Sequence, residues 1–406
     1  MKIYKVGGAV RDSLLGLPVK DHDWVVVGSN PEQMLELGYK PVGRDFPVFL
    51  HPETNEEYAL ARTERKTAPG YKGFNFYTAP EVTLEEDLRR RDLTINAIAE
   101  DSSGNIIDPF NGKADLEAGV LRHVSPAFVE DPLRVIRVAR FSARFDFSIA
   151  TETMSLMQQI SGSGELETLT AERVWQETEL ALIETAPVRF FTVLKECGAL
   201  ARVFPEINNL FGVPQPVEYH PEIDSGIHTM MVLEQACKLS MDATVRFAAL
   251  VHDLGKAATP KQEWPSHKGH EDKGAELVMQ LCDRFRIPNK YRDLAIIVAR
   301  HHLDCHRIRE MQPATIISKL ESLDAFRRPD RFELFLAACE ADARGRTGAE
   351  QNDYPQARYF TACLQAATNI SVRELAEQGL DGKAMAEAIR QSRVNAIREL
   401  LKTNQD

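Results

Sequence analysis

The sequence has no apolar run that approaches the roughly 20 residues needed for a membrane-spanning helix. Its first residues form a strand-like pattern directly, without the charged and apolar regions of a signal peptide. The six cysteines are scattered and include no C-x-x-C pair, so the pattern favours buried, reduced thiols over disulfides. These absences favour a cytoplasmic protein with no membrane segment.

The sequence also lacks an excess of positive charge, since 49 lysines and arginines face 60 aspartates and glutamates, for a net charge of -11. This balance argues against a protein that coats nucleic acid non-specifically, although a local basic surface could still hold RNA. Internal repeats and low-complexity segments are absent as well. A chain of 406 residues is long enough for two to four domains with well-buried cores.

What the sequence does contain begins near the N-terminus. Alternating apolar residues predict a strand at residues 3–6, which two glycines interrupt. A short helix is then predicted at residues 9–15 and a second strand at residues 21–27. The chain therefore opens with a strand–turn–helix–strand unit.

This unit carries two features that suit phosphate chemistry. Alternate residues of a strand share a face, so Asp21 and Asp23 present two carboxylates side by side. Gly7 and Gly8 leave backbone N–H groups at a helix start, where a phosphate can bind, and Arg11 follows one turn later. Each feature alone is more often a plain turn or a solvated strand edge, but together they fit Mg²⁺-assisted phosphoryl transfer.

The run G-G-x-V-R-D followed by D-x-D resembles the signature of the nucleotidyltransferase superfamily, which includes the tRNA CCA-adding enzymes and bacterial poly(A) polymerases. The resemblance implies that Asp21 and Asp23 are the catalytic ligands of Mg²⁺. It also implies that Gly8 and Arg11 hold the triphosphate of the incoming nucleotide.

A second motif, DLRRRDLTINAIA, spans residues 87–99. By itself it could be an amphipathic helix start with a solvated charge cluster. Next to the first unit it resembles the R-R-D-x-T-x-N-A motif of these enzymes, which implies that Arg91, Asp92 and Asn96 hold ribose and triphosphate. Glu57, in a predicted strand, aligns with the third acidic residue of the family, with the preceding glutamate as a competing candidate.

The third motif, EDPLRVIRVARFSAR, predicts a helix within residues 130–144. At about 100° per residue, Arg134, Arg137, Arg140 and Arg144 fall within an arc of roughly 120°. The helix supplies no interleaved acidic partner for them. A surface helix with a basic face is one interpretation, and a surface that binds phosphate or base is the other.

This helix resembles the E-D-x-x-R motif of class II CCA-adding enzymes, in which protein side chains replace a nucleic-acid template. The resemblance implies that Asp131 and Arg134 pair with the incoming base, while Arg137 and Arg140 support the base or the triphosphate. A carboxylate can accept from the exocyclic amine that C and A share, and a guanidinium can donate to the adjacent ring acceptor. U and G present the reverse polarity and would leave buried groups unpaired.

Most of the 11 histidines lie between residues 228 and 306. Their spacing resembles the HD phosphohydrolase family, in which one histidine precedes an H-D pair followed by Gly-Lys and a distant aspartate. The resemblance implies that His228, His252, Asp253 and Asp342 bind a divalent metal. Mixed imidazole and carboxylate ligation suits Ni²⁺, Mn²⁺ or Co²⁺ better than Mg²⁺, and such a metal would generate a hydroxide nucleophile.

The remaining histidines of this region divide into two groups. His270 and His301 fit the extra histidines of the HD family, which can extend the metal site or contact phosphate. His267, His302 and His306 are expected to be plain surface histidines.

The predicted fold class is α+β, with an N-terminal α/β nucleotidyltransferase head followed by an all-helical neck, body and tail. The predicted parts are a head (1–115), a helical neck and body with the nucleotide-selecting helix (116–205), a Pro-rich linker (206–227), an HD domain (228–345) and a helical tail (346–406).

The chain is thus similar throughout to bacterial class II CCA-adding enzymes with an appended HD domain. This implies template-independent addition of the 3′-terminal CCA of tRNA from CTP and ATP, and phosphohydrolase activity on 2′,3′-cyclic nucleotides or 2′-phosphates, by a monomer or homodimer. Three alternatives remain open: a poly(A) polymerase, a metal-dependent phosphohydrolase with a nucleotide-sensing head, and an RNA-binding scaffold without turnover.

Overall fold

The computed structural model describes residues 1–19, 22–42, 48–66, 74–371 and 380–403. The chain divides into two compact units, Met1–Phe204 and Pro205–Asp406. The predicted metal ligand Asp21 lies outside the described residues, whereas Asp23 lies within them.

The first unit contains all the described strands together with half of the described α-helices. Its strands are β1 (Lys2–Val6), β2 (Asp23–Val27), β3 (Lys40–Val42), β4 (Val48–Leu50), β5 (Glu57–Leu60), β6 (Thr63–Lys66), β7 (Phe74–Tyr77), β8 (Ala99–Glu100), β9 (Ile106–Ile107), β10 (Val120–Leu121) and β11 (Ser148–Ile149). Its helices are α1 (Gly8–Leu14), α2 (Pro31–Glu36), α3 (Leu84–Arg89), α4 (Gly112–Ala118), α5 (Leu133–Phe145), α6 (Thr151–Ser163), α7 (Ala171–Ile183), α8 (Pro187–Glu196) and α9 (Ala199–Val203).

Seven of these strands form one mixed sheet in the order β3-β4-β5-β2-β1-β8-β9. Strands β2 and β5 are parallel, and β1 pairs antiparallel with both β2 and β8. Because successive side chains of a strand point to opposite faces, Val25 packs in one buried cluster with Leu88, and Val26 packs in another with Met34. Buried side chains therefore cover both faces of the sheet. This packing holds the ends of the central strands, including Asp23 at the start of β2, in fixed positions.

The turn from β1 into α1 requires glycine at position 7. Gly7 has φ +66°, and a Cβ there would lie 2.7 Å from Nη1 of Arg91, so a side chain would be strained and would clash. The helix begins one residue earlier than the sequence predicts. The second strand begins at Asp23.

The other described residues of the first unit form helices and loops, apart from the antiparallel pair of β6 and β7 and the short parallel pair of β10 and β11. Pro132 precedes α5, and Asp146 ends it in the left-handed conformation. The apolar side of α5 is fully buried, with Val135, Ile136 and Ala139 at 0% exposure. This burial fixes the rotation of the helix and hence the direction of its arginines.

The described residues of the second unit form helices joined by turns and loops and include no strand. Its helices are α10 (Pro205–Asn208), α11 (Ser225–Leu239), α12 (Ala243–Val251), α13 (His270–Phe285), α14 (Asn289–His306), α15 (Pro313–Ser322), α16 (Pro329–Arg344), α17 (Pro355–Thr368) and α18 (Gly382–Thr403). Helix α12 packs against α11, α14 and α16. A close approach at Gly255, where a Cβ would lie 1.9 Å from the carbonyl oxygen of His270, brings the start of α13 against the H-D pair.

The Pro-rich segment at 206–227, predicted to be a linker, folds as part of the second unit. It begins in helix α10, and Pro214 and Asp224 form an isolated bridge. Gln215 and His220 are buried, and the Gln215 side chain accepts a hydrogen bond from Lys256. The prolines of this segment correctly predict an irregular backbone. The segment is not a free linker, however, because its polar side chains bond to residues of the second unit.

The prediction of an α+β fold, with an α/β head and a helical remainder, is confirmed. Within the residues that the structure covers, none of the helices combines the length and the apolar character required to cross a bilayer.

Candidate functional site

A cleft in the first unit brings the first three sequence motifs together. It has a volume of about 420 Å³. Among the described residues, seven arginines and three aspartates border it, so these residues make it positive in a chain of net charge -11. The lining residues are Gly7, Gly8, Arg11, Asp23, Arg90, Arg91, Asp92, Asn96, Asp131, Arg134, Arg137, Arg140, Phe141 and Arg144.

The acidic edge of this cleft is set by the register of the sheet. Asp23 is exposed at the first position of β2, and the parallel pairing places it beside Glu57 of β5. Paired residues of neighbouring strands project to the same face, so two carboxylates from different strands meet here. The neighbouring Glu56 precedes the strand and is not paired with Asp23. Exposed carboxylate oxygens are the hard ligands that suit Mg²⁺.

Arg11 occupies the inner wall of the cleft and is 3% exposed. Its guanidinium donates to Oδ1 of Asp12, at 2.8 Å from Nε, and to Oδ1 of Asn96. It also lies over the rings of Phe141 and Phe145. Burial lowers the pKa of Arg11, although the Asp12 carboxylate opposes the shift. The side chain is therefore held rigidly, as a site for phosphate oxygens requires.

Asp92 links the second motif to helix α5. Its Oδ2 accepts from Nε of Arg137 at 2.8 Å, and its Oδ1 accepts from Nδ2 of Asn96 at 2.9 Å. Burial disfavours the Asp92 carboxylate, but the Arg137 guanidinium outweighs this and holds the pKa of Asp92 below its ordinary value. Arg91 is fixed separately through Asp87, whose Oδ2 accepts from Nη2 of Arg91 at 3.3 Å.

The arginines of α5 do have acidic partners, contrary to the expectation of an unbalanced basic face. Glu177 of α7 accepts from Arg140 at 2.5 Å and from Arg137 at 3.3 Å. Arg144 donates to Oδ2 of Asp12 at 2.8 Å. The carboxylates come from distant parts of the chain, so i,i+4 spacing could not reveal them. These carboxylates hold each guanidinium in a fixed direction at the cleft.

The two residues expected to read the base lie at the start of α5. Arg134 donates to the carbonyl oxygen of Ala127 at 3.0 Å and to that of Arg90. Oδ2 of Asp131 accepts from Nη2 of Arg173 at 2.8 Å, so α7 also positions this carboxylate. Sequence reasoning did not identify Arg173 as part of this region, and nothing in its local sequence marks it.

We expect Glu177→Ala to destabilise the first unit by about 3 kcal/mol, because it leaves the buried Arg140 without its closest carboxylate. Gln176→Ala is the matched control, since Gln176 is exposed on the same helix, and should change stability by less than about 0.5 kcal/mol. Urea unfolding of the full chain measures both. Equal stability of the two variants would contradict the structural role of the ion pair.

In the second unit, the four predicted metal ligands lie together. Nε2 of His228 is 3.1 Å from Oδ1 of Asp342, and Nε2 of His252 is 3.6 Å from the same oxygen. Oδ2 of Asp253 lies 3.1 Å from Nε2 of His252 and 3.9 Å from Nε2 of His228. All four residues are at most 3% exposed. Side chains of α11 and α16 therefore converge with the two residues that follow α12.

A second ligand group adjoins this one through the other oxygen of Asp253. Oδ1 of Asp253 lies 3.3 Å from Nε2 of His270 and 3.6 Å from Nε2 of His302. His301, predicted to extend the site, instead bonds Asp304 at 2.9 Å. Neighbouring helix residues point about 100° apart, and the rotation of α14 turns His302 inward in place of His301. The prediction of His302 as a surface residue is wrong.

The chemistry of this cluster fits a divalent transition metal. Nε2 of His252, Nε2 of His270 and Oδ1 of Asp253 are buried, and within the described residues no hydrogen bond of good geometry satisfies them. Burial lowers the pKa of His302 to about 3, which keeps that imidazole neutral. The Asp253 and Asp342 carboxylates raise the pKa of His252 to about 10 against the effect of burial. The cluster therefore stabilises positive charge at its centre and offers imidazole and carboxylate ligands.

His306 and His267 were also predicted to be surface histidines, and both predictions are wrong. His306 bonds Oδ2 of Asp342 through Nε2 at 2.7 Å. His267 is 1% exposed and contacts the Thr259 hydroxyl at 2.7 Å. The i,i+4 spacing of His302 and His306 could have indicated a shared helix face.

Further polar residues around the cluster were not predicted from the sequence. Oε1 of Glu222 lies 3.0 Å from Nδ1 of His228 and 3.1 Å from Nδ1 of His220. Lys256 pairs with Asp253 at 2.5 Å. The Gly-Lys that follows the H-D pair was a signal for Lys256, whereas Glu222 and His220 lie in the segment expected to be a linker.

Comparison with known families places three domains along the chain. The Poly A polymerase head domain matches residues 3–122, and the HD domain matches residues 226–325. A family described as a probable RNA and SrmB binding site of polymerase A matches residues 146–211.

Close relatives align over nearly the whole chain. The multifunctional CCA protein of Thioalkalivibrio sulfidiphilus is 63% identical over 403 residues, which covers 98% of both chains. That of Nitrosococcus oceani is 59% identical and covers 99% of both chains.

Solved structures share the fold at lower identity. The Thermotoga maritima CCA-adding enzyme complexed with tRNA aligns with a TM-score of 0.64 at 20% identity, covering 99% of this chain and 91% of the other. The Bacillus stearothermophilus CCA-adding enzyme in complex with CTP aligns with a TM-score of 0.60 at 22% identity, covering 99% and 93%.

Proposed function

Because the chain belongs to the family of multifunctional CCA proteins, we propose that its first unit adds and repairs the 3′-terminal CCA of tRNA. The substrates are CTP, ATP and a tRNA acceptor end, and pyrophosphate is released without any nucleic-acid template. One observation carries this proposal: the acidic edge at Asp23 and the base-reading pair, Asp131 and Arg134, border a single cleft.

Different residues of the cleft bind the metal ion and the triphosphate during phosphoryl transfer. Mg²⁺ held by Asp23 and Asp21 would activate the tRNA 3′-hydroxyl and neutralise charge on the departing pyrophosphate. Glu57 contributes a third carboxylate from the neighbouring strand. Arg11 and Arg91, each fixed by an aspartate, hold the triphosphate so that its α-phosphorus faces the hydroxyl.

Ribose and base are held by the remaining residues. The rigid Asp92–Asn96 pair orients the ribose, while Arg137 and Arg140 support the base or the triphosphate from α5. Asp131 accepts from the exocyclic amine of C or A, and Arg134 donates to the adjacent ring nitrogen. A uracil or guanine would place its carbonyl oxygen against the Asp131 carboxylate and its ring N–H against the Arg134 guanidinium, which costs the unpaired groups their desolvation energy.

We expect Asp131→Ala to lower kcat/KM for CTP and ATP by about 10–100-fold while changing UTP incorporation less, because the removed acceptor contacts only C and A. The control is Asp146→Asn at the other end of α5, whose side chain is 73% exposed. Single-nucleotide incorporation into truncated tRNA measures both variants. Unchanged C-over-U discrimination in Asp131→Ala would exclude this base-reading role.

The incorporation assay on the wild-type protein tests the proposed function itself. With tRNA that lacks its 3′ end and with each nucleotide supplied singly or together, we expect ordered addition of C, C and A. An open-ended A tail would instead indicate a poly(A) polymerase. Absence of incorporation would favour a phosphohydrolase with a nucleotide-sensing head, and absence of any turnover would favour an RNA-binding scaffold.

A second activity is supported by the buried histidine–aspartate cluster. We propose that the second unit is a metal-dependent phosphohydrolase acting on 2′,3′-cyclic nucleotides and 2′-phosphates. His228, His252, Asp253 and Asp342 would hold Ni²⁺ or another transition metal, which would supply a hydroxide nucleophile when bound. Lys256, paired with Asp253, supplies positive charge beside the cluster. In a chain that mends tRNA ends, this activity could clear a blocked terminus before nucleotide addition.

A further inference from the structure

His306 contacts Asp342 of the buried histidine–aspartate cluster in the second unit, but it belongs to neither of the two ligand groups described above. It is the last residue of α14, and its Nε2 lies 2.7 Å from Oδ2 of Asp342. The other carboxylate oxygen, Oδ1, faces Nε2 of His228 at 3.1 Å and Nε2 of His252 at 3.6 Å. The two oxygens of Asp342 are therefore directed to different partners.

The opposite nitrogen of His306 is fixed as well. Nδ1 lies 2.8 Å from the hydroxyl of Tyr354, which precedes α17 and is 6% exposed. A proton on Nε2 of His306 is donated to Oδ2 of Asp342. The Tyr354 hydroxyl lies between Nδ1 of His306, at 2.8 Å, and Sγ of Cys305, at 3.3 Å, so it has polar partners on both sides. Burial raises the pKa of Tyr354, so the hydroxyl keeps its proton.

We propose that His306 and Tyr354 are positioning residues that hold Asp342 with one oxygen directed at the metal. A carboxylate that donates one oxygen to a metal and receives a hydrogen bond on the other cannot rotate freely. Outer hydrogen-bond partners of this kind typically contribute a factor of about 10–100 to metal affinity. The inference rests on the proposed metal site but not on the substrate assigned to it.

The test measures Co²⁺ binding to the full chain by visible absorption, with Mg²⁺ in excess to occupy the carboxylate edge of the first unit. We expect His306→Ala to raise the Kd for Co²⁺ by about 10–100-fold and to alter the absorption bands, since the geometry at Asp342 changes. His306→Gln, whose amide can donate to Oδ2, should recover part of the affinity. Tyr354→Phe should shift Kd in the same direction by a smaller factor.

The matched control is His301→Ala on the same helix, because His301 bonds Asp304 and not the cluster. It should leave both the Kd and the spectrum unchanged. A wild-type Kd and spectrum in His306→Ala would overturn the inference. If that variant does not fold, unchanged Co²⁺ binding in both His306→Gln and Tyr354→Phe would overturn it.

The same measurements separate this inference from the proposed hydrolase function. If the wild-type protein binds Co²⁺ but hydrolyses no phosphate ester, the proposed hydrolase function is rejected and the positioning role is not. Tight Co²⁺ binding with active hydrolysis in every His306 variant would remove only the positioning role.

Discussion

Replacing Asp23 with Asn is expected to lower CCA addition by about 10³-fold or more, while phosphohydrolysis by the second unit stays at the wild-type rate. Asp23 is the described carboxylate at the head of β2, beside Glu57 and on the edge of the arginine-lined cleft. The amide keeps the shape of the side chain but removes the charge that Mg²⁺ requires. A loss of about 4 kcal/mol of transition-state stabilisation corresponds to a factor of about 10³.

The control for this variant is Glu56→Gln, which removes an acid one residue away from the strand position paired with Asp23. It should retain addition within about threefold, because its side chain is not part of the acidic edge. Both variants are compared with wild type under the same CTP, ATP and Mg²⁺ concentrations. Addition by Asp23→Asn at a rate within tenfold of wild type would rule out Asp23 as a metal ligand.

The second large effect concerns the other unit. Asp253→Asn is expected to reduce hydrolysis of 2′,3′-cyclic AMP by about 10³-fold or more, with addition of CCA unchanged. Asp253 is 1% exposed and directs one oxygen to each ligand group, so its amide would weaken both at once. Removing the metal with a chelator should abolish the same activity, and adding Ni²⁺, Mn²⁺ or Co²⁺ should restore it.

Asp272→Asn serves as the control for this second prediction, since the Asp272 side chain is 82% exposed on α13. It should hydrolyse the cyclic nucleotide at the wild-type rate. CCA addition by the same preparations reports on folding of the chain. Wild-type protein that leaves 2′,3′-cyclic AMP intact with every divalent metal tested would reject the hydrolase assignment, and an active Asp253→Asn would reject the role of this residue.

Sequence reasoning succeeded where chemistry is encoded at short range. The strand–turn–helix–strand unit, the helix at the third motif and the H-D pair at a helix end each depend on local spacing, and the described residues form these elements close to the predicted bounds. Membership in the CCA-adding family, predicted from the same motifs, is confirmed by relatives that align over the whole chain. The roles of individual residues remain predictions that the variants above test.

Sequence reasoning failed where long-range packing decides. The arginines of α5 seemed to lack acidic partners, because Glu177 lies 37 residues from Arg140. The Pro-rich segment was predicted to be a linker, because no local pattern shows that Gln215 contacts Lys256 and that Glu222 contacts His228.

By itself, the sequence determined which residue types carry the chemistry and in which motif each one lies. Periodicity and spacing are properties of the local sequence and do not depend on the rest of the fold. The motifs and their residue types could therefore be identified from the sequence directly. The tertiary structure alone decided which side chains meet. His301 and His302 are adjacent and offer the same chemistry, and the rotation of α14 against its neighbours turns His302 toward Asp253. That rotation is set by the burial of the whole apolar face of the helix. Many residues along the helix contribute to this burial, so no single motif predicts it.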